Sequence, residues 1–163
     1  MVKTKQFSSA RNKLARYDRE TDKLVLEAMD FQDVHEAKFS LPDIVYLLRD
    51  SFKKHVTRYR VLGERGRLGG DPSCGYCMIS SYLIYSMTGG DDVWELRGTN
   101  LHWWLYHKSS GTVFDVTHTQ FAPKELPGIY RMGKPVKELK TDEMFYDVLK
   151  SKAMLLAKQA GIE

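Results

Sequence analysis

The chain has 163 residues, of which 42% are hydrophobic and 28% charged, and its formal net charge is +4. This length and balance predict one folded domain over residues 1–163 and exclude a disordered chain or a disulfide-built miniprotein. Because no run approaches ~18 consecutive apolar residues and residues 1–10 lack an apolar signal segment, we expect a cytoplasmic protein without membrane contact.

Basic side chains are concentrated in two parts of the sequence. Residues 1–20 form a basic arm with six Lys and Arg side chains against two acidic ones, which accounts for the whole net charge. A second basic cluster comprises Lys53, Lys54, Arg58, Arg60, Arg65 and Arg67. Since such runs are more often solvated faces than binding sites, we expect at most weak polyanion contact through the arm.

The first half of the chain contains one clear helix signal. Ser40 at a cap position and Pro42 in the first turn predict a helix over 41–60. Its apolar residues recur at helical spacing, at Leu41, Val45, Leu48, Phe52, Val56 and Tyr59. Glycines at 63, 66, 69 and 70 then indicate a flexible connection to the second half.

A helix with apolar residues on every side opens the second half. Asp71-Pro72-Ser73 can start a helix, residues 77–87 are largely apolar, and Gly89-Gly90 supply a stop. A helix of this kind is typical of a buried central position. Cys77 lies where the apolar segment begins, and unpaired amides at a helix start favour a thiolate there.

Three short segments rich in aromatic and β-branched residues follow, and they predict strands at 93–96, 102–107 and 112–117. The last two form a hairpin across Lys108 to Gly111. If the turn has an even length, His107 pairs with Thr112 and Trp104 lies beside Asp115. His102 and Asp115 are then diagonal neighbours on one face, about 7–8 Å apart at the backbone. After Phe121 we expect irregular chain around two prolines, and Thr141-Asp142 predict a C-terminal helix through Met144, Phe145, Val148, Leu149, Ala153 and Leu156.

Cys77, His102 and Asp115 are the residues that carry chemistry in this arrangement. A thiolate nucleophile needs a base within hydrogen-bonding reach and a third group that orients the base. The hairpin offers a His and an Asp side chain on one face, beside a helix that begins with a thiol. These residues therefore predict thiol-based acyl chemistry.

The motifs around these residues resemble those of a known family. They are Gly75-Tyr76-Cys77, then Gly89-Gly90, then His102-Trp103-Trp104, and finally Asp115-Val116-Thr117-His118-Thr119-Gln120-Phe121. This order is similar to the YunG-like family of small bacterial and phage proteins, whose pattern is G-Q-C, a helix with G-G, H-Y-W, and D-L-T-x-x-Q-F. The resemblance covers about residues 72 to 122 and implies a papain-like or transglutaminase-like thiol fold.

Carried over residue by residue, the resemblance implies Cys77 as nucleophile, His102 as base and Asp115 as the partner that orients His102. Gln120, Tyr76 and Trp104 fall at accessory positions. Tyr76 is a departure, because the family usually has Gln there and a Gln before the Cys helps bind the oxyanion in papain-like proteins. The backbone N–H of Cys77 could serve instead.

Other classes of protein fit parts of the sequence. Cys74 and Cys77 could form half of a zinc site completed by His102 and by His107 or His118, or a redox pair. The basic clusters could belong to a nucleic-acid-binding module. A zinc nucleobase deaminase would need His-x-Glu and Pro-Cys-x-x-Cys, and both motifs miss their spacing here.

The combined prediction is an α+β domain in which a Cys-bearing helix packs on a small antiparallel sheet, with helical additions at both ends. Residues 71–122 form the thiol-site core. The expected activity is cysteine-dependent acyl transfer on an amide or isopeptide substrate, as an amidase, peptidase or transglutaminase-like enzyme. This chemistry needs no cofactor and no metal, and the substrate could itself be a protein.

Overall fold

The computed structural model of the chain describes residues 41–54, 76–109 and 111–162. Over these residues the protein is a mixture of helices and one small antiparallel sheet, so the predicted α+β class is confirmed at this level. None of the described helices combines the length and the apolar character that crossing a membrane requires. The basic arm, the glycine-rich connection and Cys74 lie outside the described residues.

Helix α1 spans Leu41–Lys54 and buries the apolar stripe that its sequence predicts. Leu41, Val45, Leu48 and Phe52 are all buried, while Lys53 and Lys54 at its last turn are exposed. This burial on one side is what a helical period of apolar residues produces. Residues 55–60 of the predicted helix, including Val56 and Tyr59, lie outside the described part of the chain.

Helix α2 spans Cys77–Met87, which matches the predicted apolar segment. Its backbone ends at Thr88, and the next two residues, Gly89 and Gly90, have φ angles of 121° and 57°. Only glycine adopts such angles without strain, so these residues stop the helix. The helix packs against strand β2 (Trp103–His107) and the C-terminal helix, which places it at the centre of the fold as predicted.

Strand β1 is Trp94–Gly98, β3 is Thr112–Phe114 and β4 is Lys134–Pro135. In the described residues the strands form a four-stranded sheet in the order β3-β2-β1-β4, with antiparallel neighbours. His107 pairs with Thr112, which is the register that an even turn predicts. The predicted first strand, 93–96, begins one residue before β1 and ends two residues before the end of β1, and β4 was not predicted from the sequence.

The third strand was predicted to continue to Thr117, but it ends at Phe114. The cause is the Asp115 side chain, whose Oδ1 accepts hydrogen bonds from the Thr117 backbone N–H at 3.1 Å and the Thr117 hydroxyl at 3.2 Å. An Asp side chain that binds the backbone two residues ahead makes a turn in place of a ladder. The chain then enters a 3₁₀ turn over His118–Gln120.

The prediction of irregular chain after Phe121 is also wrong. The segment forms a 3₁₀ turn at Pro123–Glu125, helix α3 at Leu126–Met132 and helix α4 at Val136–Leu139. Pro123 and Pro127 occupy first-turn positions, where a missing backbone N–H costs nothing. Both prolines therefore begin helical turns here.

Helix α5 spans Glu143–Ala160 and begins at the predicted position. Asp142 caps it by accepting a hydrogen bond from the Met144 N–H at 3.0 Å. Among its predicted apolar positions, Leu149, Ala153 and Leu156 are buried, but Met144 and Val148 are exposed. The difference arises because α5 turns the stripe containing 149, 153 and 156 towards α1 and α2.

Candidate active site

Cys77 is the first residue of α2, and only 1% of its surface is exposed. The start of an α-helix presents backbone N–H groups without intrahelical partners, and the helix dipole is positive there. Both features stabilise a negative charge on a nearby sulfur. The predicted position of Cys77 at a helix start is therefore confirmed.

His102 and Asp115 lie at the same end of one strand pair. His102 immediately precedes β2, and Asp115 immediately follows β3, its antiparallel partner. The two side chains meet with His102 Nε2 2.6 Å from Asp115 Oδ2, and both are completely buried. The sequence-based prediction that these two residues share a face is confirmed, and the side chains close the gap between the two backbones.

The Asp115 carboxylate is held by several donors. Its Oδ2 accepts from His102 and, at 2.9 Å, from the hydroxyl of Tyr130, while its Oδ1 binds Thr117. Burial alone would raise the pKa of Asp115, but the charge of His102 and the hydrogen bonds from His102 and Tyr130 lower it below the usual value. Asp115 is therefore ionised at neutral pH and can only accept, so Nε2 of His102 carries a proton.

His102 connects Asp115 to Cys77. Burial would lower the pKa of His102, but the charge and hydrogen bond of Asp115, together with the nearby sulfur of Cys77, raise it above its ordinary value. Because Nε2 is bound to Asp115, Nδ1 is the ring nitrogen that can take a proton from the thiol. His102 and Asp115 thus form a buried hydrogen-bonded pair, and the Cys77 sulfur lies near enough to affect the pKa of His102.

Two of the three accessory residues lie against His102. The side-chain Nε2 of Gln120 is 3.2 Å from His102 Nδ1 and 3.1 Å from the Thr117 hydroxyl. The ring of Trp104 lies 5.7 Å from the His102 ring, and the ring of Phe121 packs edge-on at 4.7 Å. These contacts fix the orientation of the imidazole and surround it with apolar surface.

Tyr76 has a different place. Its side chain is fully buried and stacks on Phe52 of α1, with ring centroids 4.4 Å apart. Tyr76 therefore joins α1 to the start of α2 as part of the hydrophobic core. A Gln at this position could hydrogen-bond a substrate oxygen, whereas this Tyr ring is committed to packing.

Sequence reasoning missed two residues that support the cluster. Tyr130, the donor to Asp115, lies on α3 in the segment that was predicted to be irregular. Arg49 of α1 is buried and donates from Nη1 to the backbone oxygen of Val116 at 2.9 Å. No spacing rule connects Tyr130 or Arg49 with the hairpin. The available signals were a Tyr that follows two prolines able to start helical turns, and an Arg within an apolar helix.

The alternative zinc site is not assembled from the described residues. Within 41–54, 76–109 and 111–162, no group of three or more His, Cys, Asp or Glu side chains is arranged to hold a metal ion. Cys74, which the zinc and redox readings both require, lies outside these ranges. The same holds for Arg58, Arg60, Arg65 and Arg67 of the second basic cluster.

Comparison with protein-family models, with curated proteins and with solved structures finds no match for this chain. The resemblance to the YunG-like family therefore stays a prediction from short motifs.

Proposed function

We propose that this protein is a cysteine-dependent acyl-transfer enzyme in which Cys77 is the nucleophile, His102 the base and Asp115 the residue that orients the base. One observation carries the proposal. A fully buried imidazole is hydrogen-bonded to a carboxylate, and a thiol at a helix start lies near enough to affect the pKa of that imidazole. This arrangement of thiol, base and orienting group is the one that activates a cysteine for attack on a carbonyl carbon.

The reaction starts with transfer of the thiol proton from Cys77 to Nδ1 of His102, while Asp115 keeps hold of the Nε2 proton. The thiolate then attacks the carbonyl carbon of an amide or isopeptide, and the carbonyl oxygen becomes an oxyanion. In this proposal the backbone N–H of Cys77 donates to that oxyanion, because the Tyr76 ring packs against Phe52.

His102 next gives its proton to the departing amine, and the C–N bond breaks to leave a thioester on Cys77. Water or a second amine then loses a proton to His102 and attacks the thioester. The C–S bond breaks, and the proton returns to the sulfur. Hydrolysis and transfer differ only in the molecule that attacks in this last step.

We also infer that the core is of the papain-like or transglutaminase-like type, as the YunG-like motifs imply. Support comes from the packing of a helix that begins with Cys77 on an antiparallel sheet. Further support comes from the hairpin, which carries His102 ahead of one strand and Asp115 after the next. The Cys77 helix and the hairpin belong to a core that also contains the rest of the four-stranded sheet and the long helix α5.

The first test measures thiolate by absorbance, which reports the charge of the Cys77 sulfur without requiring a reagent to reach a side chain that is 1% exposed. Ultraviolet thiolate absorbance at neutral pH is measured in Cys74→Ser protein, with the Cys74→Ser, Cys77→Ser double variant as the blank. We expect His102→Ala to lower this absorbance, because the imidazole that accepts the thiol proton is gone, and Asp115→Asn to lower it less. An absorbance from Cys77 that His102→Ala leaves unchanged contradicts the proposal.

The second test looks for the acyl intermediate. The protein is mixed with a small activated acyl ester, quenched in acid and weighed intact by mass spectrometry. We expect one acyl group per chain in the wild type and in Cys74→Ser, and none in Cys77→Ser. Acylation that disappears in Cys74→Ser, or stoichiometric zinc that Cys74→Ser releases, would instead identify a metal or redox pair.

A further inference from the structure

The hydrogen bonds around His102 close into a ring of four side chains. His102 Nε2 binds Asp115, the other oxygen of Asp115 binds the Thr117 hydroxyl, and that hydroxyl binds Gln120 Nε2 at 3.1 Å. Gln120 Nε2 returns to His102 Nδ1 at 3.2 Å. All four side chains are buried. Each bond in the ring therefore constrains the direction of the next.

The direction of these bonds follows from Asp115. An ionised carboxylate only accepts, so the Thr117 hydroxyl donates to it and must accept from Gln120. The second N–H of the Gln120 amide then points at His102 Nδ1. A donor at this position needs a lone pair on Nδ1, which only the neutral imidazole with its proton on Nε2 provides.

Two influences on His102 therefore oppose each other. Asp115 attracts a positive charge and favours the imidazolium, whereas the Gln120 N–H favours the neutral ring. The other titratable groups around the pair are Cys77 from α2, Tyr130 from α3 and His118 from the 3₁₀ turn, of which the last two act on Asp115. The Gln120 amide contacts Nδ1, which is the ring nitrogen that must exchange a proton.

We propose that Gln120 is a positioning residue that sets the protonation state of His102 by presenting either its amide N–H or its amide oxygen to Nδ1. The N–H facing Nδ1 favours the neutral imidazole, and the amide oxygen facing Nδ1 favours the imidazolium. This inference rests on the proposed thiol function for its purpose, but the contact and its effect on His102 exist whether or not Cys77 reacts.

The same residue fits the next step of the reaction. When the Cys77 proton moves to Nδ1, the imidazolium presents an N–H where the Gln120 N–H had been. Half a turn of the amide brings Oε1 to that N–H, so that the oxygen accepts the new hydrogen bond. The turn costs the bond to Thr117, and it reverses when His102 gives the proton to the departing amine. Gln120 thus lets one buried site hold both forms of the imidazole.

Nuclear magnetic resonance on protein labelled with ¹⁵N tests this in the unmodified chain. A scalar coupling across the N–H···N bond joins Gln120 Nε2 to His102 Nδ1 only while Nδ1 holds a lone pair. We expect this coupling above the pH midpoint of His102 and its loss below the midpoint. Absence of the coupling at every pH overturns the proposal.

Substitutions supply the second test, with the His102 midpoint as the readout. Gln120→Met keeps the length of the side chain and removes the donor, and we expect the midpoint to rise by about one pH unit. Gln120→Glu places an acceptor at Nδ1 and should raise it further. Gln159→Met makes the same chemical change on α5, outside the ring, and should leave the midpoint where it is.

The outcomes separate this inference from the proposed function. A midpoint in Gln120→Met that matches the wild type, or one that moves equally in Gln159→Met, contradicts the positioning role. If the midpoint rises as expected while Cys77 forms neither thiolate nor acyl adduct, Gln120 keeps its role and the acyl-transfer proposal fails. If Gln120→Met does not fold, the coupling in the wild type decides.

Discussion

Replacing Tyr130 by Phe removes one hydrogen bond from the buried Asp115 carboxylate and little else. The Tyr130 hydroxyl donates to Asp115 Oδ2 at 2.9 Å, and its ring packs edge-on against Trp104 with centroids 5.1 Å apart. Phe keeps the ring contact. A hydrogen bond to a charged group contributes about 1.5–3 kcal/mol, and because His102 and Thr117 still donate to Asp115, we expect a loss of about 1.5–2 kcal/mol in the free energy of unfolding.

The loss should depend on pH in a direction fixed by Asp115. Its folded pKa is lowered, so its stabilising contribution is present above the unfolded pKa of about 3.9 and is lost as the pH falls through the folded value. A protonated Asp115 is a weaker acceptor for Tyr130. The difference between wild type and Tyr130→Phe should therefore be constant at neutral pH and shrink below about pH 4.

Urea denaturation at a series of pH values measures this difference, and Tyr146→Phe is the matched control. Tyr146 donates to the backbone oxygen of Lys140 at 2.8 Å in an exposed setting, so its loss should cost at most about 0.5–1 kcal/mol and stay constant in acid. If Tyr130→Phe lowers the free energy of unfolding no more than Tyr146→Phe, or by the same amount in acid, then Asp115 is not a charged acceptor. In that case Asp115 does not fix the proton on Nε2 of His102.

Two further predictions concern the frame around the site. The Cβ that Gly133→Ala adds would clash with the buried ring of Trp104, so this substitution should cost about 1–3 kcal/mol in urea denaturation. Gly128→Ala on α3, where the nearest atom is 3.9 Å from the added Cβ, should be neutral or gain about 0.5–1 kcal/mol. Equal effects would mean that the close approach to Trp104 is relieved by a small shift. Asp142→Ala removes the cap of α5 and should lower the free energy of unfolding by about 1 kcal/mol. Asp147→Ala within the same helix should change it by no more than about 0.5 kcal/mol. A thermal melt that shows the larger loss for Asp147→Ala contradicts the capping role of Asp142.

The bounds of α2 and the register of the hairpin depend on residues that are close together along the chain, so both could be predicted from the sequence. Helix α2 runs from Cys77 to Met87 because that segment is apolar on every side and two glycines follow it. The hairpin register follows from the even number of residues between His107 and Thr112. That parity alone puts His102 and Asp115 on one face, so the central pair of the site was predictable before any coordinates.

The end of the third strand and the donors to Asp115 depend on contacts that appear only in the folded protein. The third strand stops at Phe114 because the Asp115 side chain captures the Thr117 N–H, and no propensity scale weighs a side chain against a strand partner in that way. Tyr130 reaches Asp115 only because the helix that carries it folds back onto the hairpin. Local patterns predict the helical period of apolar residues and the even length of the hairpin turn, because each involves only a few consecutive residues. The donors that complete a buried carboxylate come from segments far apart along the chain, where no local pattern connects them.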